Sequence, residues 1–304
     1  MAASESRRLV VLALIANAAI AVTKFVAAGI SGSAAMLSEG IHSVADTGNQ
    51  VMLLRGDAAS RYDPDARHPF GRGKEVYFWA FMVAVFLFVG GSVLSIVTGI
   101  DRIRHADEHG ESGLIFNLVV LAVAAFFEIF IAFRPAVRQF NRQRMGRGVW
   151  ASLKESKDPA LIVVLFEDTA AVVGLIIAAG GVILAEVTGN GVWDGIASVL
   201  IGVLLAVAAW VIAIEMKALL VGEAASREDR ASIRAATFSV EEVHSIARLL
   251  TMQLSTHQIL VNMDLVFDEG LSDDDIEQAI VEVERRIQAG VPSATRIFIE
   301  PVAP

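Results

Sequence analysis

The chain has 304 residues, 55% of them hydrophobic, with a mean hydropathy of +0.58 and a formal net charge of −9. That apolar content exceeds an ordinary soluble domain's and reads as an integral membrane protein with a soluble part, while the negative balance argues against a nucleic-acid partner, which demands clustered Lys and Arg. There is no cysteine, which excludes disulfides and thiolate ligands, so any metal must be held by oxygen and imidazole nitrogen.

After a polar lead, residues 9–30 are apolar except for Asn17, Thr23 and Lys24 and predict a first spanning helix. The run outlasts the roughly 7–15-residue core of a signal peptide. Lys24 can snorkel to the interface, the commoner fate, or pair with Glu39 across the turn at 31–33. The second span, 34–54, is the least apolar and carries Glu39, His42, Asp46 and Asn49. At about 100° per residue these four fall within one arc of about 80°. Ionisable groups at that depth rarely serve stability, so this is a metal-ligand face or a proton path. The alternative is a polar stripe satisfied by hydrogen bonds to neighbouring helices.

A polar loop at 55–74 precedes a third span at 75–100, and a short loop at 101–112 precedes a fourth at 113–133, interrupted by Glu128. Gly71-Arg72-Gly73-Lys74 lacks the spacing and the flanking strand of a phosphate loop. Residues 134–157 are polar and basic. Asp158 then offers an N-cap and Pro159 a first helical residue for a fifth span ending near 187. A Gly189-Asn190-Gly191 turn leads to the sixth span at 192–220.

Six crossings put both ends on one side. The connections at 55–74 and 134–157 hold five and seven Lys or Arg, against none at 31–33 and 188–193 and two at 101–112. The positive-inside rule therefore places the basic loops and both termini in the cytoplasm of a multi-pass cell (inner) membrane protein. The basic run at 134–157 is read as this topology signal plus attraction to anionic lipid. Gly90, Gly91, Ser95 and Gly99, with Ser198 and Gly202, suit close helix packing.

Within the fifth span, Glu167 and Asp168 are the only charges among some two dozen apolar positions. Adjacent on a helix, they point about 100° apart and cannot both face one ion without distortion. The functional reading has one of them facing the His42 and Asp46 stripe; the structural reading is a buried pair. EF-hand and HExxH spacings are absent.

From Gly222 the charges return. Ser226, Glu228 and Asp229 open a short helix, 243–255 can be a strand, and Ile259, Val261, Met263, Leu265 and Phe267 alternate with Asn262 and Asp264 as in a half-buried strand. Ser272 caps a helix with an apolar stripe of Ile276, Ala279, Ile280, Val283 and Ile287, ended by Gly290 and Pro292, and 296–300 gives a last strand. The division is a transmembrane domain over 1–221 and a small cytoplasmic αββαβ, ferredoxin-like α+β domain over 222–304.

Six spans, this tail, SAAMLSEGIHSVADTGNQ in the second span and DPDARHPFGRGKE after it resemble the cation diffusion facilitator family of divalent-metal/proton antiporters over nearly the whole length. The resemblance implies a four-ligand transport site, two ligands four residues apart in the second span and two in the fifth. His42 and Asp46 match the first pair. If Asp168 matches the usual aspartate of the second, the position one turn earlier is Val164, so Glu167, Glu39, Asn49 or water must complete the shell. Of the family's loop site, Asp65 and His68 match, while Arg72 stands where some members have another His. The tail histidines that bridge two metals in some members are not matched, and Asp264 and Glu300 lie near those positions.

The resemblance further implies alternating access in a homodimer, metal leaving the cytoplasm as protons enter, with no resident cofactor and the metal as cargo. Imidazole and carboxylates must lose protons to bind a divalent ion, so metal and proton compete for the same groups. A mixed nitrogen and oxygen shell suits Zn²⁺ first, then Mn²⁺, Fe²⁺ or Co²⁺. The other classes are a membrane enzyme, disfavoured because no second set of catalytic groups accompanies the stripe, and a non-transporting metal-sensing scaffold.

Overall fold

The computed structural model describes residues 2–32, 34–105, 114–144 and 148–303. Its N-terminal part is helical: α1 (Ala2–Ser31), α2 (Ala34–Ser60), α3 (Glu75–Arg104), α4 (Leu114–Arg142), α5 (Val149–Glu155), α6 (Pro159–Thr188) and α7 (Val192–Val221). Among the described residues four helices, α3, α4, α6 and α7, are long and apolar enough to cross a membrane, with hydropathies of 2.3 to 2.7. α1 contributes a shorter apolar stretch, Asn17–Ser31. α2 packs against α1, α3 and α6; it is less apolar because it carries a polar face, and that face is turned inward, with Glu39, His42 and Asn49 all buried. The outward faces carry exposed Ile115, Ile176, Val187 and Trp210, as lipid-facing helices require.

Local sequence explains the boundaries. The carboxylate of Asp158 accepts from the N–H groups of Ala160 and Leu161 at 3.1 and 3.2 Å, with Pro159 in the first turn, so α6 starts where its cap dictates. It ends at Gly189, whose φ of 63° suits a residue without Cβ. α3 and α7 touch backbone to backbone: a Cβ on Gly99 would lie 2.7 Å from the Gly195 carbonyl oxygen, and one on Gly202 would lie 2.8 Å from that of Ser92.

Three expected boundaries move. The second helix runs on through 55–60, the third to Arg104, and the basic stretch after the fourth span is helical over Arg134–Arg144 and again in α5. Arg, Gln and Ala favour helix intrinsically, and Phe140 and Leu153 bury together with Leu161 at the start of α6. Helix α4 accommodates Pro135, which has no N–H to donate, just after a π-type turn at Glu128–Phe133. The expected loop at 101–112 and the Gly113 start of the fourth span lie largely outside the described residues.

The C-terminal part follows the αββαβ order: α8 (Arg227–Phe238), β1 (Val243–Ser255), β2 (Gln258–Phe267), α9 (Asp273–Gly290) and β3 (Ala294–Pro301). β2 is central, antiparallel to β1 and parallel to β3, with α9 as the crossover. Ser272 and Asp275 form a reciprocal capping box at the start of α9. Ile233, Val261, Met263, Leu265, Val283 and Ile287 bury one core between helices and sheet. This domain meets the helical part through Lys157 and Glu223 (2.8 Å), Arg227 and Glu155 (3.1 Å) and Gly73, where a Cβ would stand 2.7 Å from the Leu254 carbonyl oxygen.

Candidate metal site

The site is built by α2 and α6. Of the face predicted on α2, Glu39, His42 and Asn49 are buried, and the Asp46 side chain is 13% exposed. From α6 come Glu167 and Asp168, both buried. The Asn49 amide donates to Glu167 Oε1, which joins the two helices and commits that carboxylate. His42 Nδ1 lies 3.4 Å from Asp46 Oδ1, without hydrogen-bond geometry.

Several polar atoms here have no hydrogen-bond partner among the described residues: both ring nitrogens of His42, Asp46 Oδ1, Asp168 Oδ2, Asn49 Oδ1 and Gln50 Oε1. Buried polar groups are nearly always paired, so a concentration of orphans inside one helical bundle calls for a partner. One imidazole and two carboxylates are the donor set of a borderline divalent cation. In this conformation, among the described residues, no three His, Asp or Glu side chains converge on one point.

Glu39 is placed differently from the other candidates. Lys24 does not snorkel; it is 2% exposed and its Nζ donates to Glu39 Oε2 and to Ser43 Oγ, both at 2.9 Å. The first span has no room for a free cation at that depth, and the nearest carboxylate on α2 takes it. Of the loop pair, Asp65 and His68 are together (3.1 Å), but Arg72 Nη2 also sits 2.8 Å from Asp65 Oδ2. The Arg72 guanidinium, helped by the His68 N–H, holds the exposed Asp65 carboxyl well below the usual carboxylate range. In the tail, Asp264 pairs with Arg248 at 2.8 Å.

Two participants were not singled out as site residues. Glu128 lies at the π-type turn of α4, which packs against α6. An acidic residue interrupting an apolar span was the available signal. Gly174 of α6 lies against Glu39: a Cβ there would stand 2.6 Å from Oε1. No sequence signal separates it from other helical glycines.

Residues 10–221 match the family model described as the cation efflux transmembrane domain, and residues 225–301 match that of the cation efflux protein cytoplasmic domain. The chain belongs to the cation diffusion facilitator family. It is 32% identical over 232 residues to metal tolerance protein C4 of Arabidopsis thaliana, which covers 75% of this chain and 50% of that one. It is 35% identical over 216 residues to the human mitochondrial proton-coupled zinc antiporter SLC30A9, covering 70% of this chain and 38% of the human protein. The manganese efflux system protein MneP of Bacillus subtilis matches at 25% over 206 residues, 66% of this chain and 63% of MneP. The chain thus spans half or less of the length of the first two relatives. The C-terminal domain is of the family's dimerising type.

Proposed function

We propose that this protein exports a divalent cation, Zn²⁺ first, in exchange for protons, by alternating access at a site between α2 and α6. The observation that carries the reading is the set of unpartnered buried donors on His42, Asp46 and Asp168 within a transmembrane bundle. His42, Asp46 and Asp168 are the protein ligands, and water or Glu167, released from Asn49, completes the shell where Val164 supplies no donor. Binding requires these groups to give up protons, so loading metal from one side and protons from the other couples the two flows. The C-terminal domain pairs two copies into a homodimer, and the basic connections put it and both termini in the cytoplasm of the cell membrane. Zinc is supported by the imidazole ligand and by the zinc antiporters among the relatives. Manganese is the second reading, supported by MneP. Asp65 and His68 stand apart as an auxiliary loop site that would need Arg72 displaced. The reading is tested by metal-by-metal flux into proteoliposomes under an imposed pH gradient. Zn²⁺ uptake that collapses the gradient supports it; metal binding without flux supports the sensor scaffold instead.

A further inference from the structure

Lys24 and Glu39 form an ion pair sunk almost completely inside the helical bundle, at 2% and 0% exposure. Desolvating two charges this deeply costs about as much as their attraction returns, so stability alone is a poor reason for the pair. Its location gives a better one. Glu39 precedes His42 by three residues, about 4.5 Å along the axis and on the same face of α2. Ser43, the second acceptor of the ammonium, adjoins His42. The other oxygen of Glu39, Oε1, has no hydrogen-bond partner among the described residues and lies against α6 at Gly174. A carboxylate one turn from the ligands, half unsatisfied, is thus tied to a cation supplied by α1.

We propose that Lys24 is a specificity-determining positioning residue, which holds Glu39 and its negative charge out of the metal shell formed by His42, Asp46 and Asp168. This rests on the transport reading given above. A site with one imidazole and two carboxylates binds a divalent ion and lets it go. An extra carboxylate would raise affinity, slow release, and favour harder ions that accept all-oxygen surroundings. Lys24 keeps the site in the first state by occupying Glu39 Oε2 and by setting one positive charge against Glu39's negative one.

The two partners should then act with opposite sign. The test is Zn²⁺ and Mn²⁺ binding to the purified full chain by titration calorimetry, with flux in proteoliposomes, for wild type, Lys24→Met, Glu39→Gln and the double variant. Lys24→Met frees a carboxylate near the site and should tighten Zn²⁺ about ten-fold or more, slow maximal flux and raise the Mn²⁺ to Zn²⁺ ratio. Glu39→Gln leaves the ammonium unopposed and should weaken binding about ten-fold. The double variant should return to within about three-fold of wild type. A pair that merely braces α1 against α2 would weaken binding in both single variants, and that result, or no change in either, overturns the inference. Should Lys24→Met fail to insert, Glu39→Gln against the neutral double variant carries the comparison, and equal affinities there overturn it. A wild type that binds neither ion overturns the transport reading itself, whereas a binding wild type with same-sign variants overturns only the role of Lys24.

Discussion

The Asn49 side-chain amide donates to Glu167 Oε1 across the α2–α6 contact, which leaves the neighbouring Asp168 with an oxygen that has no partner among the described residues. Two adjacent carboxylates on one helix thereby stand in different settings: one is tied to α2, the other keeps an unpartnered oxygen.

Asp168→Asn should therefore reduce transport more than Glu167→Gln does, by at least about ten-fold, because removing one charged ligand forfeits more than weakening one tie. Initial flux rates of both variants in the same proteoliposome assay decide this. An equal or reversed ranking would place Glu167 in the shell.

The contact between α3 and α7 is set by glycine backbones, so Gly202→Leu should force the helices apart where Ser92 and Ile96 now lie. Overpacking of this kind costs about 1–3 kcal/mol or more. Thermal unfolding in detergent should show a clear loss of stability, whereas Gly180→Ala, at a position with open space around it, should show none from crowding.

The C-terminal domain should need no metal to fold. Asp264, near one of the expected family positions, is already paired with Arg248, His244 elsewhere in the domain is paired with Asp268, and the core is apolar. The purified domain should keep its circular dichroism and its unfolding midpoint after chelation; metal-dependent folding would contradict this.

On α9, Glu282 is gripped by Arg285 and Arg286 at 2.7 and 2.6 Å, and their hydrogen bonds pull its carboxyl down to about 2. A carboxyl lowered on folding contributes stability above its unfolded pKa, about 4.3, and loses it as pH falls through the folded value. The loss should fall between roughly pH 4.3 and 2. Glu282→Gln should flatten that part of the stability profile while leaving its shape near neutral pH, and an unchanged acid limb would refute the assignment. The pair is exposed, so the effect is small.

Much of this was legible in the sequence because it is periodic or local. The arc of residues 39, 42, 46 and 49 follows from helical angle alone, the Asp158 cap from two adjacent residues, and the β2 alternation from period two. What depended on the approach of distant segments was not legible. Lys24 had two plausible fates, and only the placement of α1 beside Glu39 and Ser43 selects the buried one. Asn49 was a candidate ligand by position, yet its amide is drawn to Glu167 on a helix more than a hundred residues away. The helicity of 134–144 was hidden by charge: its arginines read as loop, while Ala136 and Phe140 supply the buried side that keeps it helical.

His42 and Asp46 stand at the centre of the proposed site as ligands of the transported ion. The most direct test is Zn²⁺ flux under a pH gradient for wild type, His42→Ala and Asp46→Ala reconstituted at equal density, with circular dichroism and size-exclusion profiles showing each variant folded. Flux is expected in the wild type and background rates in both variants, since each substitution removes a ligand from a site with few spares. Wild-type flux in either variant would contradict that role.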